Sequence, residues 1–193
     1  MSSNFVEITG QPCSGKSTFV SNCVANDEYG NLKINLFKKL IYFFKGIYSL
    51  GLKRSKILFI WSLAEEAPII FRINIFRNAV TRFGIFYVLG SLISENSTKT
   101  IILDEGVSHL PFIFLKTDTK EVINFISNEL KKINVFFISA PSSKIIKSRL
   151  IERGHKRLRF LSVNFFSERV FEIENILLSQ YPSRCRNFEV LKC

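Results

Sequence analysis

The sequence has few cysteines, few acidic residues and no long apolar run, and each scarcity narrows the reading. Its four cysteines are Cys13, Cys23, Cys185 and Cys193. They show no metal-ligand spacing, and a chain of 193 residues buries enough core to dispense with a disulfide framework. That pattern fits a reducing cytoplasm. The longest apolar candidate, 83–94, is bounded by Arg82 and Glu95. It falls short of the ~18 residues a membrane-spanning helix needs. The N-terminus is polar and enters a strand-like run almost at once, so a signal peptide is not expected. Repeats, low-complexity tracts and linker-like stretches are missing. Acidic residues number 16 against 27 basic ones, a net charge of +11. Acidic partners follow: nucleotides, phosphorylated sugars, nucleic acid or an anionic membrane. No nucleic-acid recognition motif accompanies the charge, and none is expected to bind.

What is present begins with Gly10-Gln11-Pro12-Cys13-Ser14-Gly15-Lys16-Ser17. It matches the phosphate-binding pattern G-x-x-x-x-G-K-[ST]. In that pattern backbone N–H groups wrap a phosphate chain, the lysine reaches the β/γ-phosphates and the hydroxyl ligates Mg²⁺. The match requires a strand before it and a helix after it. Phe5, Val6 and Ile8 make the 4–9 run strand-like, and Phe19, Val20, Cys23 and Val24 recur at helical spacing. Gly10 through Thr18 is therefore expected to bind a nucleoside triphosphate, taken as ATP, at a helix N-terminus. The guanine-reading Asn-Lys-x-Asp motif is absent, which argues against a GTPase switch.

Two further groups belong with the loop. Thr100-Ile101-Ile102-Leu103-Asp104-Glu105-Gly106 reads as a buried parallel strand ending in two carboxylates. Ligands in open α/β sheets sit beyond the carboxyl ends of strands, so Asp104 and Glu105 are expected to face the phosphates. One would hold Mg²⁺ and the other orient or deprotonate the attacking group, Asp104 joining Ser17 as the metal pair. Arg149 and Arg153 are four apart and share a helix face, with Lys156, Arg157 and Arg159 beyond Gly154. Guanidinium groups of this kind stabilise the charge on a transferring phosphoryl group.

The spacing predicts strand 4–9, helix 16–25, two or three helices within 31–98, and strand 100–104. Helix 118–132, strand 134–140, helix 142–153, a basic loop, helix 165–180 and a last strand near 188–191 complete the order. Alternating strands and helices give an α/β fold, a parallel sheet with helices on both faces. One domain over 1–193 is expected, with 31–98 an insertion or acceptor-site region and 149–159 a lid.

The 31–98 segment carries ten basic residues against Glu65, Glu66 and Glu95. Leu36, Phe37, Leu40, Phe44, Ile47 and Tyr48 form an apolar stripe, with Lys38, Lys39 and Lys45 mostly elsewhere. Two readings stand: a helix packed on the domain, or one lying on an anionic membrane as a peripheral protein would. Glu65 and Glu66 fall in an apolar stretch and need partners. An acceptor pocket, or salt bridges to nearby lysines and arginines, would supply them.

On the phosphate loop, Leu103-Asp104-Glu105-Gly106, Ser148-Arg149-Leu150-Ile151-Glu152-Arg153-Gly154 and Phe165-Phe166-Ser167-Glu168-Arg169-Val170, the chain resembles nucleoside monophosphate kinase-like P-loop kinases, thymidylate kinases most of all. The resemblance implies a three-layer P-loop NTPase fold, Arg149 and Arg153 in a lid, and an acceptor site between the first helix and the central strand. Thymidylate kinases usually place Asp-Arg at the central strand's end, where the arginine meets the acceptor's phosphate. Here Glu105 follows Asp104. The Asp-Arg-x-Glu after the lid glycine is also replaced, by His155-Lys156-Arg157-Leu158-Arg159. The expectation is ATP- and Mg²⁺-dependent phosphoryl transfer to a small acceptor (nucleotide, nucleoside or sugar), with Lys16, Asp104, Glu105, Arg149 and Arg153 as working residues. Glu105 would serve as base toward a hydroxyl. The competing expectation is a nucleotide-gated ATPase or binding module acting at a membrane or nucleic acid through the basic segment.

Overall fold

The computed structural model describes residues 5–25, 29–31, 35–92, 100–139 and 142–192. The predicted strand ends Asn4 and Ala140, with Lys33, Glu95 and Cys193, lie outside the described residues, as do the side chains of Val24 and Leu36.

Five parallel strands form one sheet in the order β2-β3-β1-β4-β5. They are β1 (Phe5–Gly10), β2 (Tyr29–Asn31), β3 (Thr100–Asp104), β4 (Asn134–Ser139) and β5 (Asn187–Lys192). β1 is buried throughout because it is central, with β3 on one side and β4 on the other. The two-residue period of a strand divides its side chains between two cores. Phe5, Leu103, Val135 and Phe137 join the larger core, while Ile8, Ile102 and Ile138 join a smaller one with Val20 of α1 (Lys16–Ala25). Phe19 of α1 meets Phe136 edge-on, 6.5 Å between ring centres, and fastens that helix to the sheet.

The larger face is covered by α2 (Leu36–Ala64), α3 (Ile69–Leu92), α4 (Thr119–Phe125), α5 (Ser127–Leu130) and α7 (Val163–Gln180), and α6 (Ser143–Glu152) contributes Ile146 and Leu150. The middle segment thus holds two helices, the first bent at Gly51, whose φ of 69° lies in the left-handed region that favours glycine. α2 and α3 approach closely at Gly46 and Gly84. A Cβ on Gly84 would stand 1.7 Å from the Tyr42 carbonyl oxygen, and one on Gly46 2.1 Å from that of Val80.

Several expectations need revision. The helix expected over 118–132 is two short helices broken at Ile126. Beyond the break Glu129 is buried and receives both Arg54 guanidinium nitrogens, at 2.8 and 3.1 Å, and the Tyr87 hydroxyl. Strand β2 was not anticipated, being three residues long and held by backbone pairing to Thr100, Ile101 and Ile102. A buried 3-10 turn, Val107–Phe112, was also missed. It rests on Glu7, whose carboxylate accepts the Val107 and Ser108 N–H groups at 3.2 and 2.8 Å. α7 begins two residues earlier than expected, where the Ser162 hydroxyl caps it by accepting the Phe165 N–H. The apolar stripe of α2 divides: Ile47 packs against the core, whereas Phe37, Leu40, Phe44 and Tyr48 are exposed.

Candidate functional site

β1 runs directly into the loop, and α1 opens at Lys16 with no acidic residue in its first turn. Its positive end is therefore left for an anion. Two non-glycine residues among those described have positive φ, Cys13 (65°) and Glu105 (59°), and both belong to this site. Such conformations are costly and persist where the surroundings impose them.

The Lys16 ammonium is buried and turned inward. It donates to the carbonyls of Gly10 (3.0 Å) and Gln11 (2.7 Å) and lies 3.4 Å from Glu105 Oε1. Burial lowers its pKa, against the opposing pull of the Glu105 and Asp104 charges. Gln11 is anchored from behind, its amide donating to Glu174, which also accepts from the Ser139 hydroxyl at 2.8 Å. Glu174 comes from α7, so the loop's position depends on a residue 163 places away in sequence. Ser14 Oγ is buried with no hydrogen-bond partner, whereas Ser17 and Thr18 are exposed.

Glu105 stands at the centre. Its backbone N–H bonds the Ile8 carbonyl at 3.0 Å, holding it just past the end of β3. Its second carboxylate oxygen meets Arg82 Nη2 at 3.1 Å, and the first lies 3.5 Å from His109 Nε2. Arg82 also donates to the Gly106 carbonyl at 3.1 Å, and His109 Nδ1 lies 3.3 Å from the Thr9 hydroxyl. The His109 imidazole when it is protonated, and the Arg82 and Lys16 charges at any pH near neutral, hold the Glu105 carboxyl far below its ordinary range despite burial. His109 is itself buried, and its pKa is pulled well below the usual value. At neutral pH it is uncharged, and the cations facing Glu105 are Arg82 and Lys16.

A cavity of about 830 Å³ opens above this cluster. Cys13, Lys16, Ser17 and Thr18 form one wall, Phe71, Asn74, Asn78 and Arg82 of α3 another. His109 and Phe112 lie beneath, and Arg153, Gly154, His155, Lys156 and Arg157 line the remaining side. An adjoining hollow is lined by Ser14, Gly15, Thr18, Phe19, Asn22, Arg149 and Arg153. There Arg149 donates to the Cys13 carbonyl at 3.1 Å.

Of the residues singled out from sequence, Pro12, Cys13, Gly15, Lys16, Ser17, Thr18, Glu105 and Arg153 come together on the larger cavity, Ser14 and Arg149 line the hollow, and Gly10 and Gln11 line neither. Asp104 lines neither. It is exposed at the end of β3, within range of the Lys16 charge, and partial burial together with Glu105 raises its pKa. The salt-bridge reading describes Glu66, while buried Glu65 is met by a backbone N–H instead. Glu65 accepts the Lys116 N–H at 3.0 Å, Glu66 pairs with the Lys116 ammonium at 2.7 Å, and neither lines the cavity.

Arg82 and His109 were not identified from sequence as site residues. They converge on Glu105 from 23 residues before and four after, and only the packing of α3 and the 3-10 turn brings them there.

No family model matches the sequence, and no curated protein sequence matches it. Solved structures do. One is the deoxyadenosine kinase of M. mycoides with bound dATP, at 16% identity, covering 97% of this chain and 90% of that one with a TM-score of 0.55. The chain has the P-loop NTPase α/β fold. The YorR protein of Bacillus subtilis in complex with phosphorylated GDP also aligns, at 16% identity over 98% of this chain and 84% of that one, with a TM-score of 0.46.

Proposed function

We propose that this P-loop chain is an ATP-dependent kinase that transfers the γ-phosphoryl group to a hydroxyl of a nucleoside. The observation that carries the reading is Glu105: a carboxylate beside the loop lysine, gripped by Arg82, on a cavity large enough for an acceptor. The phosphate loop, residues 10–18, cradles the donor, and Lys16 exchanges its Gly10 and Gln11 carbonyls for phosphate oxygens. When Lys16 turns away, Glu105 loses one of its cations and its basicity rises. It then accepts the acceptor's hydroxyl proton as the oxygen attacks the γ-phosphorus. The bond from that phosphorus to the β–γ bridging oxygen breaks, and ADP leaves. Arg149 and Arg153 would stabilise the charge that develops on the phosphoryl oxygens, with 149–159 as the lid of a single domain.

Mg²⁺ bound with a nucleotide keeps waters and phosphate oxygens as ligands and asks one or two oxygens of the protein. The exposed hydroxyl of Ser17 and the carboxylate of Asp104 are suited to that role. The ion would neutralise charge on the β- and γ-phosphates.

The acceptor side is α3. The Phe71 and Phe112 rings and the Asn74 and Asn78 amides suit a planar base with polar edges. The fold shared with a deoxyadenosine kinase supports a nucleoside acceptor. A nucleoside monophosphate is the second reading, favoured by Arg77 and Lys156, which also line the cavity.

The test is a panel of nucleosides, their monophosphates and sugars, incubated with the chain, Mg²⁺ and ATP labelled at the γ-phosphate. Label should pass to a nucleoside, and Lys16→Ala should lower that rate at least ~1,000-fold while the circular dichroism spectrum is unchanged. ATP hydrolysis at the same rate with and without acceptor, or transfer to sugars alone, overturns the proposal.

A further inference from the structure

The outer face of α2 has no part in the cavity, whose lining on this side comes wholly from α3. Yet it gathers several large exposed apolar side chains on one helix. Phe37 is 70% exposed, Phe44 63% and Tyr48 87%, with Leu40 and Ile41 beside them and Leu52, at 86%, just past the bend. At 100° per residue, Phe37, Leu40, Ile41, Phe44 and Tyr48 share an arc of about 100°. The opposite face carries Gly46 and Leu50, buried against the rest of the fold. Lys38 and Lys45 edge the arc on one side, and Lys53 and Lys56, past the bend, are exposed. From 29 to 64 the sequence contains no aspartate or glutamate.

This composition selects the occupant. A second copy placed face to face would oppose lysines to lysines with no carboxylate in the segment to pair them. A nucleic acid would answer the lysines and leave the rings in water. An anionic bilayer answers both: headgroups meet the ammonium groups, while aromatic and aliphatic side chains enter the acyl boundary. Among the described residues no helix is long and apolar enough to cross a membrane, so α2 would lie in the surface plane. We propose that the exposed stripe of α2 docks this protein on anionic lipid bilayers, with the nucleotide cavity left open on the other side of the α2–α3 pair.

The full chain is floated with vesicles of phosphatidylcholine alone or with 30% phosphatidylglycerol added, about the anionic share that gives a substantial surface potential. Partitioning at least tenfold higher to the anionic vesicles is expected. It should fall at least tenfold in Phe44→Ser/Tyr48→Ser and in Lys38→Glu/Lys45→Glu, with unchanged melting curves. Lys131→Glu/Lys132→Glu, matched in charge but on another surface, should keep it. The proposal fails if the control pair loses binding equally, which indicates general charge attraction, or if the ring variants bind as well as the parent. It also fails if no vesicle binds while sedimentation velocity shows a dimer that the ring variants abolish.

Discussion

Glu105 makes a poor base while Lys16 and Arg82 both face it, because its carboxyl is held far below the ordinary range. Its usefulness therefore depends on what happens to Lys16. Glu105→Gln keeps the shape and removes the proton acceptor. It should lower kcat at least ~100-fold with little change in the KM for ATP, measured by steady-state transfer assays. His109 offers a pH test. Its pKa is lowered in the fold, so as pH falls below about 6.5 the unfolded chain takes up the proton first and stability drops. Between pH 7.5 and 5.5 the urea midpoint should fall more in the parent than in His109→Gln, since other titrating groups, His155 among them, are common to both. An equal fall in the two proteins would show that His109 titrates as freely folded as unfolded.

At the scale of elements, what the sequence discloses is what is local. β1, the loop and α1 are contiguous and carry their own periodicity, and β3 is an apolar run with its carboxylates in place. What it conceals depends on packing. The break at Ile126 goes with an inward Glu129 whose partner Arg54 is 75 residues away, and the 3-10 turn is anchored on Glu7, 101 residues before Ser108. Arg82 looks like one more cation among ten until α3 is laid over the end of β3. The stripe on α2 is readable as amphipathic, but its direction is not, because apolar periodicity says that residues share a face and not which way it looks. The α2–α3 contact gives the sharpest test here. Gly84→Ala sets a methyl against the Tyr42 carbonyl and must push the helices apart. It should cost about 3 kcal/mol, a fall of several degrees in Tm by calorimetry, whereas Gly90→Ala, with open space at its Cβ, should not lower Tm.

For the whole molecule, the candidate site draws on parts remote in sequence: β1 and α1, the α3 arginine, the Arg149 helix, and Glu174 of α7 behind Gln11. A ligand that binds there binds only the folded chain. MgATP at a hundred times its Kd should add about 2.7 kcal/mol, seen as a rise of roughly 5–10 °C in Tm. Lys16→Ala should erase most of that rise while a thermal scan without nucleotide still shows a cooperative transition. A rise that persists undiminished in the variant would place the nucleotide elsewhere.

In the proposed reaction, the contact between Lys16 and Glu105 also sets a sequence in time. An acceptor arriving first finds its hydroxyl beside a carboxylate already engaged by the lysine, and there is no phosphate to attack. Only the donor can draw the lysine off. On the proposed reaction the substrates enter in a compulsory order, nucleotide before acceptor. An unreactive acceptor analogue should then inhibit uncompetitively with respect to ATP, because it closes a complex that the nucleotide has opened.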